Sequence, residues 1–284
     1  MTFPLNPDLH CHSSISDGTL APEQLAARAR ANGVDLWALT DHDTIGGQTR
    51  AQAAARAEGI RYLTGVEISV TFVDTTVHIV GLGFDAGNPQ LTAGVAATHS
   101  GRDVRARAMA ERLEKLGIPG VYQGALRHAS NPALISRMHI ARYLVESGIC
   151  RDAAEVFRKY LADGKPAYVP HQWAKLGDAV RWITQAGGVA VIAHPARYGF
   201  TPTVQYALFT EFKTHGGQGV EVVTGSHTAA EARQYADVAR EFSLTASRGS
   251  DFHSPDEGHC DLGQLDQLPA DLTPVWTLLR DRIQ

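Results

Sequence analysis

Short apolar runs alternate with alanine-rich amphipathic stretches along most of this chain, and that alternation is the pattern of strands and helices built around a parallel sheet or barrel. Residues 36–40, 61–66, 76–84, 188–193, 219–223 and 243–247 read as strands, and residues 21–32 and 48–58 as helices. Thr19 and Pro22 suit the cap and first turn of the first helix. A chain of 284 residues, 44% of them hydrophobic and 20% charged, is long enough to bury one large barrel core.

The alternation fails in the middle. Residues 99–168 have helical spacing and no convincing strand, with Asn131-Pro132 as a central turn, so they read as a helical insertion between barrel parts 1–98 and 169–284. The insertion holds 12 Lys and Arg against 7 Asp and Glu, leaving 14 against 23 elsewhere, a net of +5 against −9. A basic cap over an acidic barrel suits an anionic substrate held at bound cations. The overall charge of −4 argues against a general nucleic-acid coat. No apolar run is long enough to span a bilayer, and the start of the sequence lacks the segments of a secretory signal, so no membrane association and a cytoplasmic location are expected. Cys11, Cys150 and Cys260 form no CxxC pair and read as reduced thiols.

Potential ligands recur where the strands stop. His10 and His12 flank Cys11, and on extended backbone alternate side chains share a face. Asp17 follows in a loop, Asp41-His42-Asp43 ends one strand and Glu67 another, and His78 lies near the start of a third. His194-Pro195 and Asp251-Phe252-His253 follow two later strands. Carboxylates with imidazoles suit Mn²⁺, Fe²⁺ or Zn²⁺ and lack the sulfur of a structural zinc site. In βα-barrels, active sites assemble at these strand ends.

The phrases Asp8-Leu9-His10-Cys11-His12-Ser13, Leu39-Thr40-Asp41-His42-Asp43, Gly65-Val66-Glu67-Ile68, Ala193-His194-Pro195 and Gly249-Ser250-Asp251-Phe252-His253 resemble, in order, the motifs of the PHP (polymerase and histidinol phosphatase) family, a branch of the amidohydrolase-like metalloenzymes. The resemblance implies a distorted (β/α)₇ barrel with three divalent ions, manganese first and zinc or iron as alternatives. It implies His10, His12, Glu67 and Asp251 around one ion, Glu67, His78 and His194 around a second, and Asp17, His42 and His253 around a third. Residues 135–141 and 160–168 resemble the insertion of the stand-alone members that act on nucleoside 3′,5′-bisphosphates or, as 5′→3′ exonucleases, on short oligonucleotides.

A hydroxide bridging the two ions that share Glu67 is then the expected nucleophile. Asp41 is expected either to orient a ligating imidazole or to cap a turn. His227 is expected near the substrate as a phosphate ligand or proton donor, and Arg137, His139, Lys165 and Arg197 as further phosphate contacts. His99, His128, His171, His215 and His259 read as structural or solvated, and the four tryptophans, Trp37, Trp173, Trp182 and Trp276, as core residues rather than base-stacking platforms. The expected reaction releases the 3′-phosphate of a nucleoside bisphosphate. Exonucleolytic cleavage of short RNA or DNA, histidinol-phosphate hydrolysis and a non-catalytic metal- or nucleic-acid-binding module are the competing readings. A small anionic nucleotide is the expected partner, and no obligate protein partner is evident.

Overall fold

The computed structural model of the protein describes residues 6–257 and 260–284. His259 lies outside them. In chain order the elements are β1 (Pro7–Asp8), α1 (Pro22–Ala31), β2 (Leu36–Leu39), α2 (Gln48–Glu58), β3 (Arg61–Phe72), β4 (Thr75–Leu82), α3 (Pro89–Ala97), α4 (Arg102–Lys115), α5 (Val121–His128), α6 (Arg137–Glu146) and α7 (Ala153–Val156). They continue with β5 (Ala174–Lys175), α8 (Leu176–Gln185), β6 (Val189–Ile192), α9 (Pro202–Thr214), β7 (Gly219–Thr224), α10 (Ala229–Glu241) and β8 (Thr245–Gly249).

Seven strands follow the order β1-β2-β3-β4-β6-β7-β8, and β5 pairs separately with β3. The last strand returns to the first: Leu9 N–H donates to Arg248 O at 3.0 Å, and Asp251 N–H to His10 O at 2.8 Å. The result is the nearly closed, distorted β/α barrel that the strand pattern and the family resemblance led us to expect. Its distortion is β4, antiparallel to both β3 and β6. Strand β3 runs on past Glu67 to Phe72 and turns back through Val73 and Asp74, both at positive φ (45° and 59°). Because β4 runs backwards, His78 near its start faces the same barrel end as the C-terminal ends of the parallel strands.

Alternation along the strands sorts side chains between two cores. Leu36, Ala38, Leu63, Val80, Leu82 and Val191 pack together with Trp276 and Leu279, while Trp37, Leu39 and Tyr62 pack against α1 and α2. Each fully buried aliphatic side chain contributes roughly 1.5–3 kcal/mol. Helix α1 departs from the expected cap: Ala21, not Thr19, is the N-cap residue, and its N–H donates to Gln24 Oε1 at 2.9 Å, with Pro22 in the first turn as expected. From α4 to Leu161 the chain is helical, ending in a π turn at Phe157–Leu161, around a core that includes Met109, Leu113, Ile140 and Leu144.

Candidate metal centre

His10 and His12 extend from β1, held beside β8 because Cys11 pairs with Phe252. The structure brings all nine expected ligand residues into overlapping groups: His12, Asp17, His42 and His253; His10, Glu67 and His194; His10, His12 and Asp251; and His42, Glu67 and His78. Glu67, fully buried, is the hub. Its Oε1 lies 2.9 Å from His78 Nδ1 and 3.0 Å from His194 Nε2, and its Oε2 lies 2.8 Å from His42 Nδ1. Asp251 Oδ1 lies 3.2 Å from His12 Nε2, and Asp17 Oδ1 lies 3.5 Å from His253 Nε2. The groups differ from the expected sets in three sharings: His42 reaches both Asp17 and Glu67, His12 joins the group around Asp17, and His10 joins Glu67 and His194.

The donors fit divalent cations on their own evidence. His12 Nδ1, Asp17 Oδ1 and His194 Nδ1 are buried without a hydrogen-bond partner among the described residues, a costly arrangement that a ligand could relieve. Burial and the neighbouring His253 and His42 hold the His12 pKa down to about 3, and burial takes that of His78 to about 4, leaving both imidazoles in the neutral, ligating form. Although burial alone would raise Glu67, the surrounding His42, His78 and His10 hold its carboxyl well below the usual range. Two ligand positions also carry left-handed backbone, His194 at φ 26° and Asp251 at φ 55°, and such strain clusters at functional sites.

One carboxylate that the motifs did not single out orients the cluster. Glu221, buried in β7, accepts His10 Nδ1–H through Oε1 at 2.7 Å and His194 N–H through Oε2 at 2.7 Å. Its signal was a lone acid inside an apolar strand. Asp41, in contrast, takes the turn-capping alternative. It accepts Ser13 N–H, Ser13 Oγ–H and Ser16 Oγ–H at 2.6–2.7 Å, shaping the loop that carries Asp17, and touches no ligating imidazole. Burial lifts its pKa to about 6 against those three hydrogen bonds.

The cluster opens into a cleft whose walls include Asp17, His42, His78, His194, Asp251 and His253. Arg137 and Arg197 line it, and Arg197 pairs with Asp251 Oδ2 at 2.6 Å. Three other expected substrate contacts do not. His139 is buried, and its Nδ1 accepts Ser136 N–H at 3.0 Å inside the N-cap of α6. Lys165 is exposed and lies outside the lining. His227 is tied by Nδ1 to Val222 O at 3.0 Å and stacks on Tyr235, away from the cleft. Trp173, expected in the core, instead lines the cleft beside Arg102 and Arg105. Ser136 also lines it, and Ser136 Oγ–H donates to Asp17 at 3.0 Å, tying the helical region to the cluster.

Comparison with known proteins agrees with this architecture. The PHP domain matches residues 8–121. The chain is 51% identical over 278 residues to a 3′,5′-nucleoside bisphosphate phosphatase of Chromobacterium violaceum, covering 98% of each chain. It is 42% identical over 280 residues to the 5′-3′ exoribonuclease Rnm of Escherichia coli, covering 95% of this chain and 92% of that one. A solved amidohydrolase structure from Chromobacterium violaceum superposes with a TM-score of 0.95 at 50% identity, covering 98% of this chain and 97% of the other.

Proposed function

The chain belongs to the PHP family, and from that premise we propose that it is a metal-dependent phosphoesterase that removes the 3′-phosphate from nucleoside 3′,5′-bisphosphates. The observation that carries the reading is the convergence of six imidazoles and three carboxylates beside an arginine-lined cleft. When bound, divalent ions supply Lewis-acid charge to the phosphoryl group and a hydrolytic water acidified toward neutrality. We assign three ions, manganese by preference, to His10, His12, Asp17, His42, Glu67, His78, His194, Asp251 and His253.

The protein's own groups do the holding. Glu221 fixes the ring of His10 so that Nε2 faces Glu67 and Asp251, the outer-layer role that keeps a ligating imidazole in one tautomer. Arg197, anchored on Asp251, and Arg137, whose Nη1–H reaches Leu161 O at 3.3 Å, bring positive charge to the cleft where phosphoryl oxygens accumulate negative charge. In this reading residues 99–168 act as the substrate cap over the barrel formed by residues 1–98 and 169–284.

A second reading, exonucleolytic cleavage of short oligonucleotides, is favoured by the similarity to the exoribonuclease over nearly the whole chain. Among the described residues no helix is long and apolar enough to cross a membrane. Phosphate or nucleotide release from a panel of adenosine 3′,5′-bisphosphate, adenosine 5′-monophosphate, short RNAs and histidinol phosphate, with Mn²⁺ supplied, tests the reading. Fastest turnover of the bisphosphate supports it, and turnover of histidinol phosphate alone overturns it.

A further inference from the structure

Strands β4 and β6 run antiparallel, with Val80 opposite Val191 and Ile79 opposite Ile192, a register that sets His78 opposite Ala193. In such a ladder, facing residues alternately exchange two N–H···O bonds or none. His78 and Ala193 make one of the two directly, Ala193 N–H donating to His78 O at 3.1 Å. The other is interrupted. His78 N–H donates to the Tyr198 hydroxyl at 2.9 Å, and that hydroxyl donates to Ala193 O at 2.8 Å. A side-chain oxygen thus stands inside a backbone ladder, where the regular strand β6 has just ended at Ile192.

Ligand residues lie on both sides of the interruption. His78 brings Nδ1 to 2.9 Å from Glu67 Oε1, and His194, next after Ala193, brings Nε2 to 3.0 Å from the same oxygen. Ala193 O and His194 N–H belong to one peptide unit. Tyr198 holds its oxygen, and Glu221 Oε2 accepts its N–H at 2.7 Å, so the unit is gripped at both polar ends. It leads directly into the φ of 26° at His194, a conformation that persists only where the surroundings fix it. A direct bond from His78 N–H to Ala193 O would draw the two atoms to about 2.9–3.0 Å. The hydroxyl between them prevents that closure. Tyr198 packs its ring at 5.7 Å from both His194 and Phe200 and is absent from the cleft walls, so its influence on the cluster passes through the two histidines.

Resting on the proposed metal-dependent reading, we infer that Tyr198 is a positioning residue whose hydroxyl spaces β4 from β6, so that His78 and His194 meet on one oxygen of Glu67. The ion assigned to these three residues is then held tightly only while that hydroxyl is present. Phenylalanine keeps the ring and removes the wedge. His78 N–H and Ala193 O must then bond each other, closing the strands, or stay unpaired at a cost. Either way the two imidazoles lose their fixed approach to the shared oxygen.

The test titrates metal-free wild type and Tyr198→Phe with Mn²⁺ and counts free Mn²⁺ by electron paramagnetic resonance. One ion should bind about tenfold to a hundredfold more weakly in the variant, the usual effect of losing a group that orients a ligating histidine. The other ions should bind as in wild type. Turnover of adenosine 3′,5′-bisphosphate should need correspondingly more Mn²⁺ to reach half-maximal kcat, whereas KM at saturating Mn²⁺ should not change, because Tyr198 does not reach the substrate. Unchanged Mn²⁺ affinity, or equal weakening of every ion, overturns the inference. A lower urea midpoint in chelator with unchanged Mn²⁺ affinity would mark Tyr198 as merely structural and overturn it as well. Amide hydrogen exchange of the wild type in chelator carries the test if the variant does not fold. The His78 amide should exchange as slowly as that of Val80, and rapid exchange at His78 alone would show that the hydroxyl does not hold the strand edge. Mn²⁺ binding needs no turnover, so absence of hydrolysis of every nucleotide would defeat the phosphoesterase reading without touching the role of Tyr198.

Discussion

Glu221 Oε1 lies 2.7 Å from His10 Nδ1, while its second oxygen accepts the backbone N–H of His194, so one buried carboxylate fixes two groups of the cluster at once. Glu221→Gln keeps the shape but removes the charge that holds Nδ1 protonated. Metal affinity should fall by about tenfold to a hundredfold, the usual cost of losing such an outer-layer carboxylate. Titration of the metal-free variant with Mn²⁺ measures it, and wild-type affinity would remove Glu221 from the positioning role.

Glu67 and His253 should differ in how much metal they hold. Glu67 contacts five imidazoles, those of His10, His12, His42, His78 and His194, whereas His253 belongs to the single group of His12, Asp17 and His42 and approaches the carboxylates of Asp17 and Asp251. Elemental analysis of Glu67→Ala should find a greater loss of bound metal than that of His253→Ala. Equal single-ion losses would contradict the assignment of Glu67 to two ions.

Gly249 allows β8 to approach the cluster. A Cβ there would lie 2.3 Å from His10 Cβ and 2.7 Å from His10 N. Gly249→Ala should therefore push His10 away and cost about 1–3 kcal/mol, the range for overpacking. Urea unfolding measures the stability, and an unchanged midpoint would show that the two strands can separate freely.

Burial lowers the pKa of His139 to about 4 from an ordinary 6.5. The unfolded chain then takes up this proton first. The associated stability is fully present above pH 6.5, falls by about 1.4 kcal/mol per pH unit below it, and levels off near pH 4. Glutamine at this position can keep the capping interaction with Ser136. In chelator, wild type should lose about 2 kcal/mol more than His139→Gln between pH 7 and pH 5. Identical losses would mean that His139 protonates without cost in the fold.

Much of the barrel was legible because apolar runs bounded by polar residues report buried strands, and the motif residues stood at or near their ends. Direction was not. Periodicity cannot distinguish a parallel stave from an antiparallel one, so the strand read at 76–84 acquired its antiparallel direction, and β3 its extension, only with the turn at Val73 and Asp74. The substrate contacts were least legible, since a basic helix pattern does not say which arginine turns inward. Arg102, Arg105 and Trp173 line the cleft through tertiary packing, while His139, Lys165 and His227 do not. Asp41 illustrates the same limit: its neighbour in sequence, His42, joins the cluster, but Asp41 itself bonds Ser13 and Ser16.

The central claim is that phosphoester hydrolysis occurs at the nine-residue cluster and depends on its metal ions. Its most direct test is phosphate release from adenosine 3′,5′-bisphosphate by enzyme verified as metal-free, before and after Mn²⁺ is added. The account predicts no release above background in the metal-free sample and full recovery on addition. Undiminished turnover without metal would contradict it.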